Sequence, residues 1–316
     1  MEYRRLGLSD LKISRIGFGC WAIGGHGYGK VQDTESIAAI QKALDLGINF
    51  FDTADVYGFG HSEEILGKAL GSHKNKVVIA TKFGVNWDDK GNTFYDCSPK
   101  RVTEALEASL RRLKVDCIQL YQVHWYDKIT PIYDSLEALK KCQKAGKIKH
   151  IGCSNIPLSY VYETSKAYRI ESLQCSYNIS HINLEENIIQ CSKLLKISII
   201  AYNVLGRGLF SGKYSSHNNF EERDTRPRDK NFQGEKLRKN LALLHEIKSM
   251  CSSYNKTPSQ FAIRWVLDNE NVTCALVGIK NLMQLEENMG ALGWTISKED
   301  VALFKKGRNS KDNIIE

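Results

Sequence analysis

Short apolar runs alternate with longer segments of helical period along almost the whole chain. Each run is brief enough for a strand that is buried on both faces, and each longer segment repeats its apolar residues every three or four positions, as an amphipathic helix does. Because every crossover returns the chain to the same edge of the sheet, this alternation predicts parallel strands. The predicted strands are residues 15–19, 48–52, 77–82, 117–124, 150–154, 172–175, 198–202 and 274–278.

Capping residues mark the starts and ends of several predicted helices. Ser62 is predicted to cap a helix over 63–70 with its side-chain oxygen. Gly47 and Gly146 stand directly before strands, where a left-handed residue ends a helix. Hydroxyl residues that precede proline are also predicted caps, because the proline then occupies the first helical position, where its missing N–H is not needed. These hydroxyl residues are Ser98, Thr130 and Thr257.

Eight strand and helix units predict an α/β protein with a closed (β/α)8 TIM barrel. No low-complexity linker divides residues 1–316, so one domain is expected over that range. An alternating pair around 7–10 predicts an N-terminal β-hairpin outside the barrel. Residues 206–240 are predicted to form a long connection after the seventh strand, and extra helices are expected near the C-terminus.

The composition narrows the class of protein. The chain has nine cysteines, none in a CxxC pair, which indicates a reducing compartment and neither a disulfide framework nor a metal site. It shows no signal peptide and no apolar stretch long enough to span a membrane, so a soluble cytoplasmic protein without a membrane partner is expected. The net charge of +8 is scattered and accompanied by no nucleic-acid motif, but it would attract a phosphorylated cofactor.

Candidate catalytic side chains stand where predicted strands end. Asp52, Lys82 and His124 end three of these strands, and Tyr57 follows Asp52 by five residues. Barrel enzymes place catalytic groups at such positions. Since a nearby ammonium favours an ionised phenol, Lys82 is predicted to lower the pKa of Tyr57, with Asp52 as its ionic partner. His124 is predicted to orient a substrate carbonyl by donating from a ring nitrogen, or to share the proton transfer.

Several sequence blocks resemble the aldo-keto reductase superfamily, in particular its bacterial NADP-dependent members. The most specific block reads FDTADVYGFGHSEEILGKAL, followed in order by VVIATKFG, YQVHW, IGCSN and AYNVLGRGLFSGKY. The resemblance extends over nearly the whole chain, to VGIKNLMQLEENMGAL. It implies an NADPH-dependent oxidoreductase that reduces an aldehyde or ketone to an alcohol. It also implies that Tyr57 donates the proton, supported by Asp52, Lys82 and His124.

No glycine-rich dinucleotide loop is present, so a nucleotide must be bound in another way. The resemblance implies an extended cofactor across the carboxyl ends of the strands. Its nicotinamide carboxamide would be held by Ser154, Asn155 and Gln174, and its ring would stack on Tyr202. Asn155 and Gln174 suit this role because an amide side chain offers both a donor and an acceptor. The residues predicted to contact the cofactor also include Gly19, Cys20, Trp21, Asp52, Asn203, Leu205, Gly278 and Glu287.

Other residues are candidates for binding the phosphates of that cofactor. Gly206 and Gly208 would let the backbone approach the pyrophosphate, and Arg207 or Lys213 could supply a positive charge. For Arg207 and Lys213 the alternative is a surface turn with solvated cations. After the eighth strand, Lys280, Gln284 and Asn288 are predicted to share one face of a helix. The resemblance places a cation near Lys280 against the adenosine 2′-phosphate, which favours NADPH over NADH.

The sequence says less about the substrate pocket than about the cofactor site. Trp21, Trp87, Trp125 and Tyr126 follow strand ends and are predicted to form an apolar or sugar-stacking wall, with His124 at its base. Aliphatic aldehydes, aromatic aldehydes, keto-sugars and polyol-derived ketones all stay open, as does the oligomeric state. Two other functions also stay open: an NADPH-binding regulatory subunit with slow turnover, and a Schiff-base lyase that uses Lys82.

Overall fold

The computed structural model describes residues 1–25, 27–180, 186–221 and 224–309, with side chains to residue 306. Eight parallel strands close into a barrel, and helices surround it. In chain order the elements are β1 (Tyr3–Arg5), β2 (Lys12–Ser14), β3 (Ile16–Gly19), α1 (Asp33–Asp45), β4 (Phe50–Asp52), α2 (His61–Leu70), β5 (Val78–Phe83), β6 (Val85–Trp87), β7 (Thr93–Tyr95), α3 (Pro99–Leu113), β8 (Ile118–Val123), α4 (Ile132–Lys144), β9 (Ile148–Ser154), α5 (Leu158–Thr164), β10 (Ser172–Ser176), α6 (Glu186–Leu195), β11 (Ser198–Tyr202), α7 (Gly234–Tyr254), α8 (Pro258–Asp268), β12 (Val272–Gly278), α9 (Leu282–Met289) and α10 (Lys298–Asn309).

The predicted (β/α)8 barrel is confirmed, and every predicted strand lies in it. The strands follow one another around the barrel in the order β3, β4, β5, β8, β9, β10, β11 and β12, and β12 pairs with β3 to close it. The register sets the carboxyl ends side by side, since Gly19 pairs with both Asp52 and Gly278. Residues at these strand ends are therefore brought to one rim of the barrel.

The N-terminal hairpin of β1 and β2 seals the opposite end of the barrel. Leu6 and Ile13 are fully buried and belong to the same apolar cluster as Phe50, Leu120 and Ile200, which point into the barrel. A larger cluster fills the layer between strands and helices. The interior at the hairpin end is thus a packed apolar core.

Two predicted helix starts and two predicted helix ends are confirmed. The Ser98 side chain accepts from the backbone of the third residue of α3, and Thr257 forms a full capping box at the start of α8. Gly47 and Gly146 have φ values of +83° and +74°, the left-handed conformation that the turn into each following strand requires.

Two predicted caps are wrong. The hydroxyl of Thr130 donates to Asp127 at 2.7 Å, and α4 begins only after Pro131. Ser62 lies inside the first turn of α2, and its hydroxyl donates to the backbone oxygen of Cys20 at 2.9 Å. The Ser62 hydroxyl bonds to another loop and the Thr130 hydroxyl bonds within its own loop, and both bonds take the place of a helix cap.

The long connection after β11 is shorter than predicted. It ends where α7 begins at Gly234, and it contains short 3₁₀ turns rather than one open loop; residues 222–223 lie outside the described part. The helices expected near the C-terminus are present, with α7 and α10 additional to the barrel ring. All nine cysteines are free thiols. No helix within the described ranges combines the length and apolarity needed to cross a membrane.

Candidate functional site

A buried ion pair lies beside a tyrosine at the carboxyl rim of the barrel. Lys82, at the end of β5, donates from Nζ to Asp52 Oδ1 at 2.5 Å and to the backbone oxygen of Thr53 at 2.8 Å. The same nitrogen lies 3.3 Å from the Tyr57 hydroxyl and 4.9 Å from the centre of its ring. The structure therefore brings together three of the predicted catalytic residues in the predicted pairing.

Two buried amides hold the second oxygen of Asp52. Gln174 Nε2 donates to Asp52 Oδ2 at 2.8 Å, and Gln122 Nε2 donates to it at 3.1 Å. Gln122 was not among the predicted site residues. The sequence did carry a signal, because residues two apart on a strand share a face and Gln122 precedes His124 by two. The carboxylate is thus fixed on both oxygens.

The loop that carries Tyr57 is locked by a close backbone contact. Gly58 has a φ of +61°, and a Cβ there would lie 2.0 Å from the backbone oxygen of Gly24. Asp55 N donates to the backbone oxygen of Lys82 at 3.3 Å, which ties the same loop to β5. Only glycine fits at position 58. The backbone beside Tyr57 is therefore fixed relative to the end of β5.

The pKa of Tyr57 departs from the prediction. Burial raises it to about 12, and the Lys82 ammonium only partly offsets that effect. The prediction of a net lowering was wrong because it considered the charge and not the desolvation. For Lys82, burial acts to lower the pKa, but the Asp52 carboxylate and Tyr57 outweigh it and raise the value. The side chains therefore rest as a neutral phenol beside an ammonium.

His124 faces the same phenol as a neutral ring. Its centroid is 5.6 Å from that of Tyr57, with the ring planes at 82°. Burial, together with the Lys82 charge, lowers the pKa of His124 well below its usual value. Its Nδ1 is buried and has no hydrogen-bond partner among the described residues. A neutral imidazole can donate one hydrogen bond to a carbonyl oxygen without taking up a proton.

An amide network lies on the neighbouring strand ends. Asn155 donates from Nδ2 to the backbone oxygen of His124 at 3.0 Å and to Ser154 Oγ at 2.9 Å. Its Oδ1 accepts from the Tyr202 hydroxyl at 3.0 Å, while Ser154 Oγ donates to the backbone oxygen of Gln174. The three residues predicted for the carboxamide are thus connected to one another, and to Tyr202, which is predicted to stack on the nicotinamide ring. Since Gln174 Nε2 is used by Asp52, its Oε1 is the atom left for an incoming donor.

Cations collect where the loops after β3, β11 and β12 meet. Arg207 lies 5.3 Å from the rings of both Trp21 and Tyr28 and pairs with Asp229 at 3.1 Å. The Lys280 ammonium donates to the backbone oxygen of Tyr28. Partial burial lowers the pKa of Lys280, and the charges of Arg226 and Lys213 lower it further. Positive charges that repel one another in this way form a surface suited to an anion.

The prediction that Lys280 lies on a helix face is wrong. Asn281 caps α9, which begins at Leu282, so Lys280 lies in the preceding loop. Its backbone N–H donates to Gln284 Oε1 at 2.9 Å, and this contact still joins two of the predicted residues. Asn288 is buried, and Glu287 accepts from the Thr257 hydroxyl at 3.0 Å, which fastens α9 to α8.

The other predicted cofactor residues differ in accessibility. Cys20 is fully buried, and burial raises the pKa of its thiol well above the usual value, so it offers no surface to a ligand. Asn203 has a left-handed φ of +58° and a buried Oδ1 without a partner among the described residues. Gly278 is exposed, and nothing lies within 4 Å of a Cβ added there. The residues that are neither buried nor fully exposed include Gly19, Leu205, Gly206 and Gly208.

Three indoles lie in the segments that follow β3, β5 and β8, and one of them packs on Tyr57. Trp21 is 41% exposed and stacks on Tyr57 at 6.0 Å between ring centres. Trp87 is half-buried on the short hairpin of β6 and β7, and Trp125 is 41% exposed. The predicted wall therefore has three exposed or half-buried indoles. Tyr126 does not join it, because the ring is buried and its hydroxyl donates to the backbone of Thr130.

Known proteins resemble this chain over nearly its full length. A model of the Aldo/keto reductase family matches residues 15–308. The chain is 37% identical over 303 residues to aldo-keto reductase YhdN of Bacillus subtilis, covering 95% of this chain and 91% of that protein. It is 36% identical over 308 residues to the Schizosaccharomyces pombe aldo-keto reductase yakc, whose name includes NADP(+), covering 95% and 89% of the two chains.

Solved structures share the fold. The glycerol dehydrogenase AKR11B4 from Gluconobacter oxydans superposes with a TM-score of 0.88 at 34% identity, covering 99% of this chain and 97% of that one. The holo form of aldo-keto reductase AKR11C1 from Bacillus halodurans superposes with a TM-score of 0.78 at 26% identity, covering 97% and 96%.

Proposed function

The chain belongs to the aldo/keto reductase family, and from that premise we propose that it is an NADPH-dependent oxidoreductase that reduces an aldehyde or ketone to an alcohol. The observation that carries this proposal is the position of the Tyr57 hydroxyl, 3.3 Å from an ammonium that Asp52 holds in place. This arrangement joins a proton donor to a charge that would stabilise the phenolate after donation.

NADPH supplies a hydride when it is bound, and the residues of this chain handle the oxygen. His124, neutral and hydrogen-bonding, orients the carbonyl oxygen toward Tyr57. The phenol gives its proton to that oxygen as negative charge develops there. A pKa of about 12 does not prevent this, because the alkoxide formed by hydride addition is a far stronger base than a phenolate. The Lys82 ammonium then stabilises the phenolate that remains.

The residues at the rim fit a nicotinamide cofactor. Gln174 Oε1 and the second lone pair of Asn155 Oδ1 are available to a carboxamide N–H₂, and Tyr202 offers a half-buried ring beside them. Asn203 Oδ1, buried and without a partner among the described residues, is a further acceptor at this point. These free acceptors support the proposed site, because buried polar atoms usually have hydrogen-bond partners.

We expect Lys280 to select NADPH over NADH. A phosphate dianion beside Lys280 would relieve its repulsion from Arg226 and Lys213. Lys280→Met should therefore weaken NADPH binding about tenfold, the loss of one charge-assisted hydrogen bond, and leave NADH binding unchanged. Titration of the intrinsic fluorescence with each cofactor measures both constants. Lys100→Met, a change of an 82% exposed lysine side chain, is the control, and equal losses for both cofactors would argue against the assignment.

The pH profile tests the protonation states. Tyr57 stays protonated until the pH approaches about 12, and His124 stays neutral unless the pH falls well below its usual pKa. The value of kcat for carbonyl reduction should therefore be flat between about pH 7 and about pH 10. Initial rates at saturating NADPH in constant-ionic-strength buffers give this profile. A falling limb near neutrality would contradict the proposed state of the phenol.

A lyase that uses Lys82 as a nucleophile is disfavoured by the geometry. Lys82 is fully buried, and its ammonium is engaged by Asp52 and by a backbone oxygen. Its pKa is raised, whereas a Schiff-base lysine needs a lowered value. A regulatory subunit with slow turnover is distinguished by assay. Purified protein with NADPH and a panel of aldehydes and ketones should oxidise the cofactor in repeated turnovers, and tight NADPH binding without turnover on any carbonyl would favour the regulatory function.

A further inference from the structure

A second buried ion pair lies behind the proposed catalytic residues. Arg101, in the first turns of α3, places NH2 2.5 Å from Asp55 Oδ2. The Asp55 side chain is fully buried and that of Arg101 is 13% exposed. Asp55 belongs to the loop that carries Tyr57, and its backbone N–H donates to the Lys82 oxygen. The pair is thus attached to the elements that hold the phenol and the ammonium, yet it contacts neither group.

The same guanidinium also meets an aromatic ring. Arg101 Cζ lies 5.4 Å from the centre of the Trp87 ring. Trp87 packs against Phe59 with 5.6 Å between ring centres, and Phe59 follows Tyr57 by two residues. A Cβ added at Gly91, in the turn between β6 and β7, would lie 3.5 Å from the Phe59 ring. The β6–β7 hairpin therefore packs against the loop that carries Tyr57, and Arg101 contacts the Trp87 ring of that hairpin.

We propose that Arg101, anchored by Asp55, is a specificity-determining positioning residue that holds the Trp87 indole at a fixed place relative to Tyr57, for carbonyl substrates that bear a planar aromatic group. This inference rests on the proposed reductase function. A fixed indole offers a ring face on which an aromatic substrate can stack, whereas a small aliphatic aldehyde has no ring to make that contact. Arg101 itself touches neither substrate nor cofactor.

Arginine is suited to this double contact. Its planar guanidinium can stack on a ring while an edge nitrogen pairs with a carboxylate, and a lysine ammonium cannot do both in the same geometry. Burial raises the pKa of Asp55 to about 7, against the lowering effect of Arg101. If Arg101 is removed, Asp55 can take up a proton and need not remain a buried charge. An Arg101 variant is therefore expected to fold.

A matched control lies on the same helix. Arg112 NH2 is 2.6 Å from Glu63 Oε2, with side chains 19% and 0% exposed. This pair also joins α3 to the segment that follows β4. Within the described part of the chain, however, Arg112 makes no cation–π contact. Arg101→Gln and Arg112→Gln therefore each remove one buried ion pair of α3, and only the first change releases an indole.

The experiment compares kcat and KM for propanal and for 2-naphthaldehyde in the wild type, Arg101→Gln, Arg101→Lys and Arg112→Gln. We expect Arg101→Gln to lower the kcat/KM ratio of naphthaldehyde to propanal about fivefold, the worth of one partly buried cation–π contact. The loss should appear in KM and not in kcat. Arg101→Lys, which keeps the charge for Asp55, should retain thermal stability and still lower the ratio. Arg112→Gln should leave the ratio unchanged.

Three outcomes would overturn the inference. One is an unchanged ratio in Arg101→Gln or, if that protein does not fold, in Arg101→Lys. Another is an equal fall of the ratio in Arg112→Gln, which would mean that any lost ion pair on α3 has this effect. The last is a wild type that reduces other carbonyls but neither of these aldehydes; only the absence of turnover with every aldehyde and ketone tested would refute the proposed function as well. A wild type that reduces both, with a ratio insensitive to Arg101, refutes this inference alone.

Discussion

Tyr57→Phe should lower kcat for carbonyl reduction by about three orders of magnitude, the middle of the range for loss of a general acid. The substitution removes the hydroxyl that lies 3.3 Å from Lys82 and keeps the ring that packs on Trp21 and His124. Because the cofactor is proposed to rest on other strand ends, Kd for NADPH should change by less than about twofold. Steady-state rates and a fluorescence titration measure the two quantities on the same preparation.

Tyr121→Phe provides the matched control for that variant. Tyr121 is fully buried in the barrel wall, whereas Tyr57 is half-buried, and the Tyr121 hydroxyl has no hydrogen-bond partner among the described residues. Removing it should leave kcat and NADPH binding as in the wild type. Turnover within about tenfold of wild type in Tyr57→Phe would exclude the phenol as the essential proton donor.

Lys82→Met should have two large effects that a second substitution separates. Loss of the ammonium leaves Asp52 as a buried, unpaired carboxylate, and breaking such a pair costs about 3–5 kcal/mol of unfolding free energy. It also removes the charge that stabilises the Tyr57 phenolate, so kcat should fall by about 10²–10⁴. Urea denaturation and initial rates measure the two effects.

The double variant Lys82→Met with Asp52→Asn distinguishes folding from chemistry. Neutralising both partners removes the unpaired charge, and Gln122 and Gln174 can still hydrogen-bond an asparagine oxygen. Stability should therefore recover toward the wild-type value while kcat stays low. A double variant that regains activity along with stability would show that Lys82 serves the fold and not the phenol.

The sequence predicted the barrel well because the barrel depends on local patterns. Apolar runs of strand length, glycines such as Gly47 and Gly146, and the proline-linked caps at Ser98 and Thr257 each specify structure through near neighbours. The pairing of Asp52 with Lys82 was also predictable, since parallel strands bring their carboxyl ends to one rim.

The errors arose where distant loops compete for polar groups. Ser62 bonds to another loop instead of capping a helix, and Lys280 lies in a loop, with its ammonium on a backbone oxygen of a segment some 250 residues earlier in the chain. Thr130 is the exception, because its hydroxyl bonds to Asp127 within its own loop. The pKa of Tyr57 was misjudged because desolvation depends on the whole barrel and not on one neighbour. The Asp55–Arg101 pair was missed for a similar reason, as neither residue ends a predicted strand.

The most direct test of the central claim follows a hydrogen from cofactor to product. Wild-type protein is incubated with an aldehyde and NADPH that carries deuterium at both hydrogen positions of C4 of the nicotinamide, and the alcohol is analysed by mass spectrometry. If Tyr57 completes a hydride addition at this rim, the alcohol carries deuterium on the former carbonyl carbon, and Tyr57→Phe yields almost none in the same time. Bound NADPH with no labelled alcohol from any aldehyde or ketone would contradict the account.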